Sequence, residues 1–190
     1  LIEDENPAMA IELFERSLAV KYDSDVVNEL GIVRASKDLD LAKDTFVEAM
    51  EAGDKLCAPC NLPHLLIPDD PNRAADLYLS ILEQNEPEVA LGLSFLVRES
   101  DPALAANLLN RAIVNREDRE PLRFFLTFLA LADKETALNA CKYFANQGFS
   151  AAPGIASEIM FGSAYDPAKG TVSLKKGTCE DDAACEWIVL

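Results

Sequence analysis

Cys57-Ala58-Pro59-Cys60, followed by His64, is the constellation in this chain whose residue types and spacing can do chemistry. On one helix, offsets of three and seven share a face. Two thiolates and an imidazole would then point the same way, as a metal site requires. A structural zinc ion wants a fourth ligand, however, and none lies nearby in sequence. The plainer alternative is that two cysteines and a histidine fill small or semi-polar positions on an ordinary helix.

Cys-x-x-Cys with an internal proline also resembles a thioredoxin-type redox pair. That motif normally follows a β-strand, and no strand signal precedes Cys57. His64 is the single histidine, so triads that need one as base have no second candidate. Glycine-rich phosphate loops and Gly-x-Ser-x-Gly elbows are missing as well. No catalytic residue and no cofactor is expected; Cys57, Cys60 and His64 stand as a metal- or redox-responsive alternative.

The element that carries this constellation belongs to a repeat. A helix-capping residue followed four positions later by alanine occurs five times: Asn6/Ala10, Asp38/Ala42, Asp70/Ala74, Asp101/Ala105 and Asp133/Ala137. The intervals are 32, 32, 31 and 32 residues. A fixed period of this length predicts a stacked solenoid. After each alanine the apolar residues trace one helical stripe, as in Ala74, Leu77, Tyr78, Ile81 and Leu82. Asn6-Pro7, Asp70-Pro71 and Asp101-Pro102 place a cap acceptor before a proline that suits the first helical position.

Between these helices each period holds a second apolar segment: Val26 to Val33, Leu56 to Ile67, Val89 to Val97, Leu122 to Leu131, and Ala151 to Phe161. In the second of these, Pro59 can open a helix, whereas Pro63 falls in the interior and predicts a kink or split. The expected fold is all-α: an α-solenoid of about five antiparallel helix-hairpin repeats over residues 1–162. Residues 163–190 break the pattern and read as a short extended or β-hairpin tail that caps the last repeat or docks elsewhere. Within it Tyr165 to Gly170 reads as a turn, Thr171 to Leu174 alternates, and Trp187 to Leu190 is β-prone. Cys179 and Cys185 would pair if the surroundings oxidise.

The formal net charge is −16, from 33 acids against 17 bases. That disfavours nucleic acid and anionic lipid and permits a basic partner. No apolar run is long enough to span a membrane. The acidic start, Leu1 to Asn6, has neither a signal peptide's features nor an initiator methionine. With an odd set of five cysteines and a good core, a reducing cytoplasm is the default expectation.

Ala42, Phe46 and Ala49 match Ala-x3-Phe-x2-Ala, similar to the second-helix signature of tetratricopeptide repeats. Ala49-Met50-Glu51-Ala52-Gly53, followed by Ala58, Asn61, Leu62 and Leu65, resembles the Sel-one-like repeat. Ala145-Asn146-Gln147-Gly148, followed by Ala151, does the same, and Leu30-Gly31 and Leu91-Gly92 resemble the first-helix Leu-Gly of both families. The resemblance implies a right-handed superhelical scaffold that binds a protein or peptide in a concave groove. It places Asn28, Asn61 and His64 on the groove stripe as partner contacts, with Arg98 and Arg123 as positive points in an acidic surface.

Overall fold

Each of the five capping residues does what its type and position predict. Asn6, Asp38, Asp70, Asp101 and Asp133 accept hydrogen bonds from the backbone N–H of Met9, Leu41, Arg73, Leu104 and Thr136 at 2.6–3.1 Å. Each bond satisfies one of the donors a helix start leaves unpaired. The five alanines that follow are 0–3% exposed.

The computed structural model describes residues 6–55, 57–84, 87–112, 119–161, 165–166 and 171–172. They form ten α-helices: α1 (Pro7–Val20), α2 (Ser24–Ala35), α3 (Leu39–Glu51), α4 (Cys57–Leu66), α5 (Pro71–Ile81), α6 (Pro87–Val97), α7 (Pro102–Ala112), α8 (Glu120–Ala132), α9 (Lys134–Asn146) and α10 (Ala152–Phe161). A 3-10 turn, Leu82–Gln84, extends α5. The chain is therefore all-α over the repeat region, with a repeat-like order of helices.

Two glycines explain how α3 and α9 end. Gly53 and Gly148 have φ of 97° and 86°, the left-handed region that glycine enters without Cβ strain. The N–H of Gly53 bonds the carbonyl of Met50, and that of Asp54 reaches back to Ala49. Gly148 and Phe149 repeat the pair with Ala145 and Phe144. This is the Schellman arrangement, and it gives a physical cause for glycine at the end of both Sel-one-like stretches.

α4 runs unbroken through Pro63. The predicted split does not occur. Pro63 lacks only the N–H that would bond the carbonyl of Pro59, and Pro59 itself sits in the first turn, where no donor is needed. Neighbours compensate: Leu62, Leu65 and Leu66 are all 5% exposed or less.

Sequential helices contact one another along most of the chain, and α2, α4, α6, α8 and α10 also touch one another in order. A stack with nearest-neighbour contacts alone would stop there. Here α8 reaches across to α4 and to α2. Phe128 of α8 lies 6.5 Å from the Phe46 ring of α3. The even-numbered helices thus converge on a common core instead of lining an open trough. One continuous apolar cluster extends from Val27 to Ala156.

Tyr165–Asp166 and Thr171–Val172 form two short antiparallel strands, β1 and β2, with Tyr165 opposite Val172. Tyr165 and Asp166, read from sequence as part of a turn, are strand. β2 lies against α10. The remainder of the tail, including Cys179, Cys185 and Trp187 to Leu190, is outside the described residues.

Candidate functional site

Neighbouring repeats are bridged by pairs about one period apart. The Tyr22 hydroxyl donates to Asp54 at 2.7 Å. Cys57 Sγ approaches Asp25 at 4.0 Å. The Asn61 amide donates to the Asn28 side-chain oxygen. All three pairs lie between the start of α2 and the start of α4. Asn61 is 2% exposed, so its amide is used inside the fold.

His64, one turn further along α4, is 0% exposed. Its ring is surrounded by Tyr78, Phe124, Phe125 and Phe128, at centroid distances of 5.6, 6.2, 5.2 and 5.8 Å. Neither ring nitrogen has a hydrogen-bond partner of full geometry, and neither does the Tyr78 hydroxyl. Burial pushes the imidazole down to about 4, partly offset by the backbone of Cys60 and Asn61. At neutral pH His64 is an uncharged member of the aromatic core. The structure thus corrects the placement of His64 and Asn61 on a groove-facing stripe: α8 closes over α4 and occupies that space.

Cys57 and Cys60 are half-buried. Burial raises the Cys57 thiol to about 11, and Asp54, Asp25, Asp23 and Glu29 add to the shift. A redox nucleophile or metal thiolate needs positive neighbours and a lowered pKa; Cys57 has the reverse. Among the described residues, no three His, Cys, Asp or Glu side chains are grouped to hold a metal ion.

Of the two arginines, Arg98, just past the end of α6, turns back onto that helix. Its guanidinium lies 4.0 Å from the centroid of Phe95, donates to the Phe95 carbonyl, and meets Glu99 at 3.2 Å. Arg123 stands differently. Glu158 of α10 accepts from Arg119 at 2.8 Å and from Arg123 at 3.2 Å, which ties α8 to α10. Beside this pair runs a groove of about 290 Å³ lined by Arg123, Thr127, Ala130, Leu131, Lys134, Ile155, Glu158 and Ile159. Lys134, also in the lining, donates to the Met160 carbonyl at 3.1 Å. The lining combines apolar Ala130, Leu131, Ile155 and Ile159 with two cations, Arg123 and Lys134, and one carboxylate, Glu158, in a chain whose total charge is −16.

The sequence singles out Arg123 as a positive point and gives no sign of Glu158. Their 35-residue separation matches no helical offset, and only the meeting of α8 and α10 joins them. No helix among the described residues is long and apolar enough to cross a membrane. No protein-family model, curated protein or solved structure matches the chain.

Proposed function

We propose that this chain is a non-catalytic interaction scaffold, built from helix-hairpin repeats of the tetratricopeptide and Sel-one-like kind that fold in on a shared core, and that it binds a protein or peptide. The observation that carries the reading is the α8–α10 groove, whose lining brings apolar Ala130, Leu131 and Ile159 together with Arg123 and Lys134. An apolar floor with a few oriented polar groups on its rim is the usual composition of a ligand groove. The binding surface in this reading is a cleft between two inner helices, because the aromatic packing of α8 on α4 fills the trough that an open stack would offer. Asn28 and Asn61 hold repeats together in this reading, and Arg123 is the partner contact.

Selection of peptides from a random library, followed by calorimetric titration, tests it. A selected peptide should saturate at one site and lose at least tenfold in affinity against Arg123→Ala. Equal affinity for Arg123→Ala and for the unaltered chain would remove the groove from consideration.

A further inference from the structure

Glu180-Asp181-Asp182 and Trp187-Ile188-Val189-Leu190 are, in order, an acidic cluster and an apolar run in the same tail. The α8–α10 groove presents the complementary pair of features: cations at Arg123 and Lys134, and apolar lining at Ala130, Leu131 and Ile159. Glu158 neutralises part of the arginine charge, and Lys134, whose ammonium donates to the Met160 carbonyl, adds a second cation to the same lining. We propose that residues 179–190 of this same chain dock in the groove between α8 and α10 and act as an intramolecular competitor for its ligand. This rests on the reading of that groove as a binding surface.

Reach permits it. β2 already lies against α10, so the chain leaves Thr171–Val172 close to the groove wall. Glu180 and Asp182 lie eight and ten positions beyond Val172, a span of up to roughly 26–35 Å when extended. α10, at 10 residues, is only about 15 Å long. Tethering also favours the tail over a free peptide of equal intrinsic affinity, since a short linker holds it at an effective concentration on the order of millimolar. The acids would set approach and orientation, and the apolar run would supply burial, the division of labour expected of a charged rim around an apolar floor.

The chain has one tryptophan, Trp187, and it lies in the proposed ligand. Its fluorescence therefore reads docking in the intact protein. Docked, it should emit at shorter wavelength than a solvated indole and resist iodide quenching severalfold. Reversal of the tail charges in Glu180→Lys, Asp181→Lys and Asp182→Lys leaves every described helix untouched. It should move the emission to the solvated position. Adding Lys134→Glu and Arg123→Glu to that variant should restore part of the protection, because the two sets of charges are then exchanged.

A solvated Trp187 in the unaltered chain overturns the proposal. So does a protected Trp187 that ignores the tail reversal, since the tail would then be docked elsewhere or held without these charges. The two readings fail separately. A selected peptide that binds through Arg123 while Trp187 is solvated sinks only the tail. A protected, charge-dependent Trp187 with no Arg123-dependent peptide, even when selection uses the tail-reversed variant whose groove is free, sinks the scaffold reading and the competitor role with it, and leaves only the docked tail.

Discussion

A Cβ atom added to Gly31 would lie 2.2 Å from Cζ of Phe46, so the bare backbone of α2 is the seat for that ring. Phe46 is 0% exposed and cannot swing aside into solvent. Gly92 and Tyr78 repeat the relationship between α6 and α5, with a Cβ position 2.4 Å from the phenol ring. These are the glycines of the two Leu-Gly pairs, and each lets an aromatic side chain of the neighbouring helix come within contact of the backbone.

Gly31→Ala should therefore destabilise the fold by about 1–3 kcal/mol through overpacking, despite alanine's better helix propensity. Gly154 in α10 is the control, because a Cβ there meets nothing within 4 Å. Gly154→Ala should be neutral or stabilise by up to about 1 kcal/mol. Urea denaturation of both variants at neutral pH checks the pair. Equal effects at the two sites would refute the close approach at Gly31.

The pH dependence of stability should carry a signature of His64. Its folded pKa is about 4, against the ordinary 6.5, so the unfolded chain binds the proton more readily. Stability is full above about pH 6.5 and declines as the pH falls toward 4, where the folded form also begins to protonate. The whole shift corresponds to about 3 kcal/mol, of which about 2 kcal/mol should be lost by pH 5, before most carboxylates titrate. His64→Phe keeps an aromatic ring in the cluster and should flatten the profile between pH 7 and 5. A slope unchanged in this variant would mean that another group carries it.

The outer architecture was legible because it is local. A cap residue, a proline or acidic first turn, and an alanine-led stripe all lie within a dozen residues, and they recur at one period. The bridges Tyr22–Asp54 and Asn28–Asn61 were accessible in principle for the same reason, since each spans about one repeat. The centre was not. His64 is inward because Phe124, Phe125 and Phe128 arrive from a helix two periods later. Neither residue's neighbours in sequence announce that contact. Glu158 was hidden likewise, as a carboxylate whose partners lie on another helix.

Thiol chemistry offers an independent check on α4. With its pKa raised from 9.0 to about 11, Cys57 should hold about a hundredfold less thiolate than an ordinary thiol at neutral pH. Greater intrinsic nucleophilicity recovers part of this, so the expected rate with a soluble disulfide reagent is about tenfold below that of a free thiol. Cys141, raised by burial to about 12, should react only on unfolding. Asp54→Asn removes one of the carboxylates that oppose thiolate formation and should accelerate Cys57. Reaction of Cys57 in the native chain faster than a model thiol would revive a redox role for Cys57 and Cys60.

Asp133 serves two helices at once, and its replacement separates charge from geometry. Its N–H closes α8 on the Leu129 carbonyl at 2.8 Å, while its carboxylate accepts from the Thr136 N–H to start α9. Hydrogen bonds from the Thr136 side chain and backbone hold its pKa below the ordinary value. The folded state therefore favours the ionised form, so this contribution is present at neutral pH and fades as acid protonates the group. Asp133→Ala should cost about 1 kcal/mol at pH 7. Asp133→Asn retains an acceptor in the same place and should recover most of that loss, while lacking the acid-dependent part. Denaturation of the three proteins at pH 7 and pH 3 distinguishes these effects. If the asparagine variant is as unstable as the alanine variant at pH 7, the carboxylate acts through its charge at the start of α9, and a shape-only account of the α8–α9 junction fails.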